Sequence, residues 1–156
     1  MSIPHRFPFF CPAGYPDVKT LNYCKRWFLI GCLLAALAVL LGAFGAHGLE
    51  RQLKESNTSE LDVQKQLGQW ETAVRYHMYH ALGCIVVAFT SGPATGPRSR
   101  TAGLFFLCGI LLFSGGLYGY VLTHVRFMVL IVPVGGLAFI VGWLLLAFSP
   151  TIHLSE

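Results

Sequence analysis

The chain has 156 residues, 54% of them hydrophobic and only 12% charged, with a net charge of +4 and a mean hydropathy of +0.61. Soluble domains carry about 25% charge, so the composition argues against a water-soluble globule and for one integral membrane domain. Lysine and arginine are scattered, which excludes the basic face that nucleic acid requires. Five cysteines with no CxxC pair speak against a disulfide framework or zinc site.

Residues 1–26 stand apart. Pro4, Pro8, Pro12 and Pro16 recur among Phe7, Phe9, Phe10 and Tyr15. Proline at this density forbids a regular helix and interrupts the apolar core that a secretory signal needs. The segment reads as an extended, Pro- and aromatic-rich lead-in.

The transmembrane domain is expected over residues 27–149. Its first span, about 27–49, follows Lys25 and Arg26 and ends in GAFGAHGL, residues 42–49. At ~1.5 Å per residue it reaches ~34 Å, enough for a ~30 Å hydrocarbon core. A polar loop follows. Within it, Val63, Leu67, Trp70 and Val74 share one helical face. They predict an amphipathic surface helix over about 59–73, capped by Asn57 or Ser59 with Glu60 or Asp62 three residues on. It is expected to lie on the membrane and then to turn into, or run on as, the second span, with Trp70 in the aromatic belt.

The second span, about 74–90, contains Arg75, His77 and His80. SGPATGPRSR, residues 91–100, reads as a turn. The third span covers about 101–123 and the fourth about 127–148. Only His124, Val125 and Arg126 separate them, which requires a tight antiparallel hairpin. Pro133 is expected to kink the fourth span. The result is an all-α, antiparallel four-helix bundle in the membrane, with both termini on one side. Lys25, Arg26, Arg98 and Arg100 flank spans on that side, which predicts that it is cytoplasmic and that the protein is integral to the plasma (inner) membrane.

Antiparallel threading gathers unusual residues in the other half of the bilayer. Gly42, Gly45 and Ala46 fall on one face of the first span. Gly115 and Gly119 have GxxxG spacing, and Gly135 and Gly136 follow Pro133. Small residues of this kind let helix backbones approach. The same half collects His47, Tyr76, His77, His80, Tyr118 and His124, a candidate pocket. His77, His80 and Cys84 share a helical stripe. With His47 they raise a metal reading, for which His47, His80 and Cys84 are the candidate ligands. No CxxCH or HExxH pattern accompanies them, so neither a metal nor a cofactor is assigned. Enzyme chemistry gets little support: none of the seven acidic residues lies deep in a span, and Ser114 has no evident base beside it. LLGAFGAHGL (40–49) can also be laid on LLFSGGLYGY (111–120) as a faint parallel repeat.

GAFGAHGL, Trp70 with ETAVRYHMYHAL, FSGGLY (113–118) and PVGGLAFIVGW (133–143) closely resemble the YgdD-like family of small membrane proteins. This is a domain-of-unknown-function family with a human transmembrane member. The resemblance covers about residues 27–148. It implies four spans and no established biochemical activity. The matching positions are Gly42, Gly45, His47, Gly48, Trp70, Tyr76, His80, Ser114, Gly115, Tyr118, Pro133, Gly135, Gly136 and Trp143. His77 departs, since glutamine is usual there.

The leading expectation is a structural or interaction role in the lipid bilayer, with a homo-oligomer or a membrane-protein partner. The alternative is a small transporter or proton-coupled permeation unit using the His/Tyr pocket. The third is a metal- or haem-binding membrane subunit.

Overall fold

The computed structural model describes residues 18–55, 59–90 and 96–149, and every long element among them is helical. α1 (Val18–Phe44) passes through a π turn (Gly45–Leu49) into α2 (Glu50–Glu55). α3 (Glu60–Thr90) runs unbroken. α4 (Gly96–Gly109) passes through a second π turn (Ile110–Ser114) into α5 (Gly115–Thr123), and α6 (Phe127–Ala147) follows. The proline-rich residues 1–17 lie outside the described residues. α1 begins at Val18, well before Trp27, so Lys25 and Arg26 sit inside the helix rather than ahead of it. α4 likewise begins inside the expected turn, with Pro97 in the first helical turn, where its missing N–H costs nothing.

Local chemistry accounts for the helix ends. The Ser59 hydroxyl accepts the Asp62 N–H (3.2 Å) and donates to the Asp62 carboxylate (2.7 Å). Val63 N–H donates to the Ser59 carbonyl (3.0 Å). This is a capping arrangement that fixes where α3 starts. α5 stops at His124, whose left-handed φ of 58° lets its N–H close on the Tyr120 carbonyl (2.7 Å). His124 is thus a turn residue and is exposed.

Three helical stretches are long and apolar enough to cross a membrane: Thr20–Glu55, Arg98–Thr123 and Phe127–Ala147. Leucines such as Leu40, Leu111 and Leu130, each about two-thirds exposed or more, cover their outer faces. Water would not tolerate such a surface, but lipid does. α3 does not meet that measure. Its polar residues include Arg75, His77 and His80, and both histidines are buried.

Cross-helix contacts set direction and register. Gly42 faces Val74 and Gly31 faces Ile85, so α1 and α3 are antiparallel. Gly83 faces Phe106 while Trp70 meets Tyr118, so α3 opposes α4–α5. Gly142 faces Phe106, Gly135 faces Phe113 and Gly119 faces Met128, so α6 opposes α4–α5. One core cluster is built from Trp27, Cys84, Val87, Phe106 and Phe139. A second joins Leu49, Leu53, Val63, Trp70 and Val121. The apolar stripe of residues 63–74 therefore packs on α1 and α2. At ~1.5 Å per residue, Val18–Glu55 is ~57 Å long and α6 ~32 Å. α2 and the start of α3 thus overhang the bundle as a helical projection, laced by exposed Arg51–Glu55 and Lys54–Glu50 ion pairs.

The glycines differ sharply in what they do. At Gly135 an added methyl would meet the Leu112 backbone at 2.9 Å and the Phe113 backbone closer still. At Gly115 it would meet only its own helix, at 3.7 Å. Gly135→Ala should lower stability by about 1–3 kcal/mol through overpacking. Gly115→Ala should leave it unchanged or raise it slightly. Thermal unfolding of the two variants in one detergent checks both.

Candidate functional site

The expected residues fall into three places. The first lies between α1 and α3. Gly45 has no side chain, and the Trp70 indole fills the gap: a methyl at Gly45 would stand 2.6 Å from Trp70 Nε1. From that seat the indole N–H donates to the Leu41 carbonyl (2.8 Å). The ring is flanked by Phe44 (5.5 Å between centroids) and Tyr118 (4.7 Å). Gly42, Gly45, Ala46, Trp70 and Val74 edge a 250 Å³ groove with Glu50 and Glu71 at its mouth. Both carboxylates are engaged within their own helices, Glu50 by Lys54 (2.7 Å) and Glu71 by Arg75 (2.6 Å). Ala46 is exposed and makes no helix interface comparable to that of Gly45.

The second place is the buried interior of α3 against α4–α5. His77 is 2% exposed and Ser114 is fully buried. The pairings Trp70–Tyr118 and Gly83–Phe106 set Ser114 level with Val74, about one turn from His77. The His77 and Tyr118 rings lie 6.3 Å apart. Both His77 ring nitrogens, Ser114 Oγ and the Tyr118 hydroxyl have no hydrogen-bond partner among the described residues. Each such buried group costs about 1–3 kcal/mol.

The third place is a 540 Å³ groove between α3 and α6, lined by Tyr76, Tyr79 and His80 on one side and Phe139, Ile140 and Trp143 on the other. Its floor is shaped by Phe113 and by the missing side chain of Gly136. His80 is 4% exposed and lies flat on Phe139, with centroids 3.4 Å apart and planes 8° from parallel. Its Nδ1–H donates to the Tyr76 carbonyl (2.7 Å).

The expected six-residue pocket is therefore not assembled. His47 is exposed on the π turn of the first helix, beside Glu50, Arg51 and Lys54. His124 is in the exposed turn. His77 and Tyr118 share the interior, while Tyr76 and His80 face the α3–α6 groove. The metal set His47, His80, Cys84 is not brought together either: Cys84 is packed in the core cluster with Trp27 and Phe106. Among the described residues no three His, Cys, Asp or Glu side chains gather as metal ligands would. Pro133 lies on the exposed side of α6, which continues through it.

The packing glycines are also redistributed. Gly116, not Gly115, meets α6, at the Met128 carbonyl and the Val132 side chain (3.1 Å each). Gly119 meets the Met128 sulfur at 3.2 Å, and Gly136 has only ordinary contact with Phe113. Tight sockets that went unpredicted occur in the other half. Gly103 receives Trp27, Gly109 receives Phe139 and Gly142 receives Phe106, while Gly31 abuts the Ala81 carbonyl at 2.9 Å. Small residues are thus not confined to one half of the bundle. Phe106 and Phe139 carry no sequence signal, being apolar residues in apolar helices.

Helices with lipid-facing leucines, glycine contacts and a buried histidine face define a small α-helical membrane protein. Residues 41–136 match the family described as protein of unknown function (DUF423), and the chain belongs to that family. It is 43% identical over 131 residues to the UPF0382 membrane protein YwdK of Bacillus subtilis, a match covering 83% of this chain and 99% of that one. It is 42% identical over 125 residues to the UPF0382 membrane protein SH2409 of Staphylococcus haemolyticus, covering 80% and 94%. No solved structure matches.

The Trp70 seat predicts a graded pair of effects. Trp70→Phe keeps the ring and loses the Leu41 hydrogen bond, and should cost about 0.5–1.5 kcal/mol. Gly45→Ala displaces the ring itself and should cost more. Detergent unfolding midpoints that rank the two variants the other way would refute this account of the interface.

Proposed function

We propose that this chain is a four-span protein of the plasma (inner) membrane, of the YgdD-like kind, that acts by self-association rather than by catalysis. α3 serves as the second span in this reading. Its histidines are turned inward, so its average hydropathy understates the apolar surface it shows to lipid. The cytoplasmic end is the one carrying Lys25, Arg26, Arg98 and Arg100. Two contacts support treating these residues as one end of the bundle: the Arg100 guanidinium lies 4.3 Å over the Tyr23 ring, and Arg98 donates to the Phe148 carbonyl (3.3 Å). A phosphatase reporter fused after Glu156 should be inactive, since that enzyme folds only outside the cytoplasm. Activity there would overturn the orientation.

The observation that carries self-association is Gly115. The neighbouring glycines are occupied by side chains or backbone of the same chain, whereas Gly115 opens outward among exposed Leu104, Cys108, Leu111 and Leu122. A notch on a lipid-facing helix lets the backbone of a second copy approach. Cys108 lies two turns from Gly115 on the same side and reports the contact. In a variant retaining only Cys108, mild oxidation in membranes should give a disulfide-linked dimer. Gly115→Leu should reduce that dimer severalfold. An unchanged monomer band would refute the reading.

A further inference from the structure

The α3–α6 groove has a chemistry that self-association does not use. Its walls are flat. Tyr76 lies 4.7 Å from Phe113 and 6.2 Å from Phe139 between centroids, and Trp143 closes one end, 6.1 Å from His80. Ile140 is more than half exposed and forms the outer lip. A volume of 540 Å³ holds a single-ring molecule and the beginning of its tail.

Besides the Tyr76 and Tyr79 hydroxyls and the Trp143 indole N–H, one polar group stands in this aromatic slot, the His80 imidazole. The Tyr76 carbonyl can only accept a hydrogen bond, so its contact with His80 puts the imidazole proton on Nδ1. Nε2 is then left as a bare acceptor, and no described residue donates to it. Phe139, on which the imidazole is stacked, lies near the middle of α6. With α6 crossing the bilayer, lipid headgroups are about 15 Å away, half of a ~30 Å core. Acyl chains reach this depth but donate nothing. The complement to Nε2 is a hydroxyl on a body apolar enough to dissolve at the midplane and flat enough to lie among the rings.

We propose that the α3–α6 groove binds a membrane-dissolved hydroxyaryl molecule, a phenol or hydroquinone with an apolar tail. Its ring lies among Tyr76, Phe139 and Trp143, and its hydroxyl donates to His80 Nε2. The site rests on α6 spanning the membrane and is independent of self-association.

The test uses the full chain in lipid nanodiscs and 2-bromo-4-octylphenol, whose bromine quenches nearby tryptophan emission. Quenching should saturate and should be largely lost in Trp143→Phe. The methyl ether of the probe, which has the same ring and no donor, should bind about five- to tenfold more weakly, the worth of one net hydrogen bond. His80→Phe should weaken the phenol to the level of the ether. Ile140→Phe, on the exposed lip and compatible with folding, should weaken phenol and ether alike by narrowing the groove. Decylubiquinol held reduced should displace the probe better than its oxidised form. Quenching that rises without saturation, equal binding of phenol and ether, or displacement by 1-dodecanol as effective as by the phenol would each overturn the proposal. The dimer band from Cys108 reads self-association separately, so the two can fail independently.

Discussion

Helices inside a bilayer gain nothing by hiding apolar side chains from one another, because lipid tails are as apolar as leucine. Their contact must come from closeness, and closeness needs positions without side chains. In this chain the need is met by glycine facing a ring: Gly45 and Trp70, Gly103 and Trp27, Gly109 and Phe139, Gly142 and Phe106. Each ring fills the space that a β-carbon would occupy. Dispersion across many such atom pairs then supplies what hydrophobic burial supplies in water. The Gly135 contact goes further, setting backbone against backbone at the second π turn.

α3 joins one of these pairs, through Trp70. It packs on α1, α4, α5 and α6, and it carries the polar residues that lipid would reject. Burying His77 and His80 gives the helix a lipid-compatible exterior but leaves ring nitrogens to be satisfied. His80 satisfies Nδ1 with the carbonyl one turn back. His77 satisfies neither nitrogen among the described residues. The two histidines are neighbours in sequence yet occupy different settings: His77 is sealed against Tyr118, and His80 stands at the edge of an aromatic groove.

The helical character, the tight turn at 124–126 and the Ser59–Asp62 cap were legible from composition, spacing and capping chemistry. The faces of the glycines were only partly so. A π turn widens the helical repeat locally. Just after Ile110–Ser114, Gly116 rather than Gly115 meets α6, while Gly119 still does, and Ala46 and His47 of the Gly45–Leu49 turn are exposed. No residue pattern announces such a turn. The heights of His77 and His80 along the bundle are likewise not legible from one helix alone. Register against Phe139 and Tyr118 puts them near mid-height. The partner helices, rather than the local sequence, fix that level.

The overhang of α2 and the first turns of α3 has a practical consequence. A 17.2 kDa membrane protein usually offers an imaging experiment no mass outside its micelle by which to orient particles. Here a two-helix stalk continues from α1 and α3 without a flexible joint at its base, and Leu49, Leu53, Val63 and Trp70 lock its helices together. An antibody fragment raised against that stalk would report the orientation of the whole bundle.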